Sequence, residues 1–232
     1  VGTYITLESD RLREHDDSFH KPMTEVLAKN LKNFIGNKRK LMVAGLGNRE
    51  VTPDALGPFV IDNLYVTRHL LKEGIIAHSI EVSAIAPGVM AQTGMESLTI
   101  LKALVKEIKP ELLIVIDALA ARQSDRLGKT IQLADTGISP GSGVGNHRNA
   151  INRDNIGIPV LAIGVPTVIS VPTIVNDAMD TMVDAMGKQG AKNALKNFSE
   201  EERYQLACEM VTPYLENMFV TPKDIDEAVK RV

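Results

Sequence analysis

Among 232 residues there is one cysteine, Cys208, and no tryptophan. A lone cysteine excludes an internal disulfide and an all-cysteine zinc site. It also fits a reducing, cytoplasmic compartment. Cys208 falls in the helical stretch from Tyr204 and reads as a small apolar residue buried on that helix. Aromatic residues make up only 4% of the chain, so recognition of bases or sugars by stacking is poorly supported. The formal net charge of −3 gives no electrostatic case for direct nucleic-acid binding. No apolar run approaches the length of a membrane span and no signal peptide is recognisable, so no membrane partner is expected. Histidine is scarce too: His15, His20, His69, His78 and His147 form no i, i+4 pair and no HExxH motif. No zinc site is therefore signalled. Only His147, in a glycine-rich loop, is placed where it could approach a crevice.

What the sequence does contain is ordinary for a globular domain: 44% hydrophobic and 24% charged residues. The length suits one large α/β domain, taken as residues 1–232. The chain starts on Val1 and stops at Val232 inside a helical pattern, so truncation at both ends is expected. Apolar runs and turn signals predict strands at Tyr4–Leu7, Leu41–Ala44, Ile80–Ile85, Leu112–Ile116, Thr130–Leu133 and Pro159–Ile163. Helices are predicted at Met23–Ile35, Pro53–Leu71, Gly94–Ile108, Pro172–Met186 and Glu200–Val211, with a last one starting at Thr221-Pro222. In the second of these, Thr52 is the expected cap and Pro53 the first helical residue. Strands alternating with helices predict a three-layer α/β sandwich with a largely parallel or mixed central sheet. The polar stretch Asp135–Asn155 is long enough to be functional, and Lys188–Asn197 has the polar composition of a connection.

Two segments carry the chemistry. Gly45-Leu46-Gly47-Asn48 follows a buried strand and leads to Thr52-Pro53-Asp54-Ala55-Leu56-Gly57-Pro58. The second is the run Leu112-Leu113-Ile114-Val115-Ile116, which ends on Asp117. Two carboxylates at the carboxyl ends of two buried strands would share the crevice where open α/β sheets bind ligands. The glycines do not spell a nucleotide site: position 50, where a dinucleotide fingerprint needs its third glycine, is Glu50, and no Gly-Lys-Ser/Thr follows. Gly141-Ser142-Gly143 lacks the strand that a nucleophile elbow requires.

Asp54 has a plain structural reading as a first-turn acid favoured, and held ionised, by the helix dipole. Asp117 has one as a strand-end residue bonding a nearby amide. The apolar strand before Asp117 points further, to a carboxyl with a raised pKa. One ionised and one protonated carboxylate can activate a water and protonate a leaving group.

The same segments, with Ile116–Arg122, Asp135–Asn146, Gly157–Val168 and Val220–Asp226, resemble the germination protease of spore-forming bacteria, in the right order along most of the chain. That resemblance implies an endopeptidase that begins the degradation of small acid-soluble spore proteins in the spore core. It implies a zymogen that processes itself, a homotetramer, and a fold similar to the hydrogenase maturation endopeptidases. The family's two catalytic aspartates fall on Asp54 and Asp117, with a water nucleophile and neither cofactor nor metal. Substrates of the family carry glutamate near the scissile bond. A protein of net charge −3 needs local cations to bind such a substrate. Arg49, beside the glycine loop, and Arg122, five residues past Asp117, are the nearest in sequence to the two aspartates. Arg122 also reads as a helix cap or subunit contact. Asn48, in the glycine loop, is the third candidate substrate-binding residue. Two rivals stay open: a metal-dependent maturation peptidase with Asp54, Asp117 and His147 as ligands, and a non-catalytic module whose acidic crevice binds a peptide.

Overall fold

Strand β4, Leu112–Ala121, lies at the centre of the protein because its first six residues are buried on both faces. Such uniformly apolar strands belong to sheets covered by helices on each side. The structure, a computed structural model, describes residues 2–13, 17–145, 148–186, 198–211, 215 and 217–230. Seven strands form one sheet: β1 (Tyr4–Glu8), β2 (Lys40–Gly45), β3 (Glu81–Ile85), β4, β5 (Thr130–Ala134), β6 (Val160–Ser170) and β7 (Phe219–Val220). Their order is β1-β5-β6-β4-β2-β3, with β7 added to the end of β6. Strands β6, β4, β2 and β3 run parallel, while β1, β5 and β7 join antiparallel. The sheet is therefore mixed.

The helices are α1 (Asp17–Ile35), α2 (Leu56–Asn63), α3 (Arg68–Lys72), α4 (Met90–Thr93), α5 (Ser97–Ile108), α6 (Arg153–Ile156), α7 (Val171–Met186), α8 (Glu200–Met210) and α9 (Ile225–Lys230). One face of the sheet packs Leu41, Val43, Ile114 and Ile163 against α1, α2 and α9. The other packs Met42, Leu113 and Val115 against Leu98, Leu101 and Val105 of α5 and Ile156 of α6. These are the three layers expected from the alternation of strands and helices.

Several boundaries differ from expectation, each for a local reason. The helix predicted over Pro53–Leu71 is three pieces: a 3-10 turn Thr52–Asp54, then α2, then α3. Val51 holds the cap position of the turn and no side chain caps it, so Thr52 is not a cap. Helix α2 ends because Thr67 is claimed by β3. Its N–H donates to the Ile80–Val82 segment at Val82 O (3.1 Å), its hydroxyl donates to Ile80 O (2.5 Å), and Val82 N–H donates to that hydroxyl (2.9 Å). A buried threonine satisfied this way competes directly with helix propagation. Gly94, at φ 70°, closes α4 and separates it from α5. Helix α9 begins at Ile225, later than Thr221-Pro222 suggests. Cys208 sits on α8 as expected, but it is only half-buried; Ala207 is the residue that faces the core. The connection expected over Lys188–Asn197 lies outside the described residues.

Candidate active site

Strand β2 sends the chain out to β3 on one side, and β4 returns on its other side. The crevice at the carboxyl ends of β2 and β4 is thus the switch point of the sheet, where ligands of open α/β folds bind. Gly45 pairs with Ile116 in the parallel ladder, and Leu46 N–H continues it to Ile116 O at 2.8 Å. The chain leaving β2 therefore starts beside the residue preceding Asp117. It returns within twelve residues, because Gly57 at the start of α2 touches that strand end backbone to backbone. A Cβ on Gly57 would stand 2.3 Å from Leu46 O and 2.5 Å from Leu46 N. Gly47 has φ 109°, and a Cβ there would collide with the Asp54 main chain, so only glycine suits the position. These two contacts fold the segment Leu46–Leu56 into a tight loop and deliver Asp54 next to Asp117.

The two carboxylates are held differently. Asp117 is 6% exposed. Its one described hydrogen bond is from Ala118 N–H at 3.0 Å. Burial, and then the charge of Asp54, push its pKa up to about 7, against the modest opposing pull of that N–H. Asp54 is half-buried and accepts Asn48 N–H at 2.8 Å. Burial raises its pKa too, while the Asn48 N–H works the other way. Asp54 closes a 3-10 turn and does not open an α-helix, so that N–H takes the place expected of the helix dipole. Near neutral pH Asp117 therefore stands close to its own pKa, placed to hold or release a proton beside the second carboxyl.

Both aspartates line a cavity of about 780 Å³. Asn48 and Arg122 line it as well. Asn48 is fixed through its side-chain oxygen, which accepts Glu50 N–H (3.0 Å) and the Gln92 amide (2.9 Å). Arg122 is exposed and makes no ion pair with a described residue. Arg49 is turned elsewhere. It grips Asp62 with both guanidinium ends, one bond measuring 2.9 Å, and lies over the Phe59 ring. It does not line the cavity. His147 lies outside the described residues. Among the described residues, no three His, Cys, Asp or Glu side chains gather into a metal-ligand set.

Sequence reasoning did not single out three further cavity residues: Arg126, Arg148 and Thr167. Arg148 is carried in by the long loop after β5. That loop is pinned at its base by the Ile138–Ile151 bridge, and Gly143 rests on Ala120 of β4. The sign that would have found Thr167 is Pro166 inside an otherwise β-rich run, since proline within a strand marks an edge or a bulge.

A family model described as germination protease matches residues 1–197. The chain belongs to the germination protease family. A germination protease of Caldanaerobacter subterraneus subsp. tengcongensis is 44% identical to all of this chain, which spans 75% of that relative. One from Clostridium perfringens is 44% identical over all of the chain and 74% of its own length. The Bacillus subtilis relative is 38% identical over 98% of this chain and 74% of its own. Among solved structures, a nickel–iron hydrogenase maturation protease from Thermococcus kodakarensis resembles 60% of this chain and covers 80% of its own. The identity there is 19% and the TM-score 0.41, a likeness too slight to carry a functional argument. Family membership makes this chain a protease of spore germination. No helix among the described residues is long and apolar enough to cross a membrane.

The raised pKa of Asp117 has a consequence for stability. Its folded value, about 7, lies above the ordinary 3.8, so folding favours the protonated form. The stability this group contributes is complete below about pH 4 and is lost as pH rises through about 7. Asp117→Asn keeps the acceptor for Ala118 N–H and cannot ionise. The variant is expected to be more stable than the parent at about pH 8, by on the order of a few kcal/mol, and so to melt higher there, and the difference is expected to close towards pH 4. Thermal melts across that range check it; a margin independent of pH counts against a buried, titrating Asp117.

Proposed function

We propose that this protease is an endopeptidase that opens the degradation of small acid-soluble spore proteins in the spore core, with water as nucleophile and Asp54 and Asp117 as its base and acid. The observation that supports this most is the asymmetry of the pair. One carboxyl is buried and pushed to about 7; the other is half-buried and bonded by a backbone N–H. Ionised Asp54 takes a proton from water as the oxygen attacks the scissile carbonyl carbon. Asp117 gives its proton to the departing nitrogen as the C–N bond breaks. The proton gained by Asp54 then passes to Asp117 and restores the starting state. Each transfer is matched to a group poised for it. Substrate glutamate would be met by a cation on the cavity wall, and Arg122, which has no described ion-pair partner, fits that part better than Arg49, which is committed to Asp62.

The test is incubation of the protease with a purified small acid-soluble spore protein, followed by mass-spectrometric mapping of the cuts. Internal cleavage at a few sites supports the reading, and intact substrate overturns it. On the same reading, hydrolysis is expected to continue after exhaustive treatment with EDTA. Loss of activity that one particular metal restores would transfer Asp54 and Asp117 to the role of metal ligands.

A further inference from the structure

In the pairing of β4 with β6, Leu119 faces Pro166 and Ala120 faces Val168. Thr167 therefore has no partner on β4 and is the extra residue of a β-bulge. Bulges beside active sites re-aim a side chain. Thr167 is 2% exposed, and its hydroxyl has no hydrogen-bond partner among the described residues. It nevertheless lines the same cavity as the two aspartates. An unpaired buried hydroxyl costs stability, and native proteins seldom keep one without a use. The bulge itself is held firmly from outside the ladder. Gly128 N–H donates to Pro166 O at 2.8 Å, and the Thr221 hydroxyl donates to Thr167 O at 2.8 Å. Two carbonyl oxygens of the bulge are thus satisfied, while the side-chain hydroxyl has no partner among the described residues.

We propose that the Thr167 hydroxyl is a substrate-anchoring group, which hydrogen-bonds the main chain of an extended peptide bound in the cavity. Its place along the strand sets the distance. Gly164 is the ladder partner of Asp117, and Thr167 lies three residues beyond it, about 10 Å at 3.3 Å per residue. An extended peptide running along β6 would meet Thr167 about three residues from the bond being cleaved. A hydroxyl both donates and accepts, so either a peptide N–H or a peptide C=O completes it. The proposal rests on the endopeptidase reading above.

The test compares Thr167→Val, which keeps the shape and removes the hydroxyl, with Thr167→Ser, which keeps the hydroxyl. Two peptides are drawn from around a mapped cut: a long one reaching about four residues to each side, and a short one stopping at two, before the anchoring position. Thr167→Val is expected to raise KM for the long peptide by roughly 2–12-fold, the range of one neutral hydrogen bond. The short peptide should be cut as by the parent, and Thr167→Ser should track the parent on both. A parent-like KM for Thr167→Val on the long peptide overturns the proposal, as does an equal loss on both peptides. If Thr167→Val does not fold, the parent decides the matter: its KM must drop when the peptide is extended past the third residue, and no drop overturns the proposal. If the parent cleaves nothing, the endopeptidase reading fails by itself. Fluorescence titration with the intact spore protein then decides for Thr167: weaker binding by Thr167→Val than by Thr167→Ser supports the anchor, and equal binding overturns it.

Discussion

Replacing Asp54 or Asp117 with asparagine is expected to leave a folded protein that no longer cleaves peptide. Asparagine matches aspartate in size and keeps an oxygen to accept Asn48 N–H at the one site and Ala118 N–H at the other. What it removes is the ability to take or give a proton. General acid and base steps contribute roughly 10²–10⁴-fold each, so each variant should lose at least that factor. On the proposed mechanism the two groups act on one bond as a unit, so the double variant should be little worse than the poorer single one. The pH profile separates the roles. The charge of Asp54 is the second cause of the raised pKa of Asp117, so any residual activity of Asp54→Asn should lose its dependence on an acid near pH 7 at a lower pH than the parent. Activity close to the parent in either single variant, with an unchanged circular dichroism spectrum, would sink the dyad.

The second large effect is expected far from any proton. Gly57→Ala should destabilise the fold and silence the site together. The added methyl would stand 2.3 Å from Leu46 O, 2.5 Å from Leu46 N and 2.7 Å from Gly45 C, all backbone atoms. No side chain can swing aside to relieve contacts of that kind, and both strand and helix are buried there. Overpacking in a close-packed interior costs roughly 1–3 kcal/mol, occasionally more, and this site should fall at or above the upper end. Relief requires α2 to move away from β2, and the turn bearing Asp54 moves with it. A displacement of about 1 Å can cost roughly 10²-fold in rate. Urea unfolding and peptide hydrolysis measured on the same preparation check both halves. A variant with parent-like stability and rate would mean that α2 does not position Asp54.

The site was legible in part because its signals are local. A uniformly apolar strand ending on Asp117, and glycines leading into Thr52-Pro53-Asp54, can be read from spacing. The breaks within the predicted Pro53–Leu71 helix could not. They depend on Thr67 finding β3 as its partner, and β3 begins fourteen residues later in the chain. The extension of β4 and β6 past their predicted ends has a similar cause. Their last residues are not uniformly apolar, but they pair with one another around the Thr167 bulge. Arg49 shows the limit of proximity in sequence. It adjoins the glycine loop, yet Asp62 on α2 takes its guanidinium.

By itself the sequence determined the fold class and the order of the main elements and marked two aspartates as candidates, because hydrophobic periodicity and turn chemistry act within a few residues. Tertiary structure decided the rest. It brought Asp54 against Asp117 through two backbones in contact, which depends on glycines in separate elements meeting. It gave Asp117 a pKa near 7, since desolvation is a property of everything packed around a carboxyl. It also left the hydroxyl of Thr167, a residue lining the cavity, buried and without a partner among the described residues, because a bulge exists only once two strands have chosen their register.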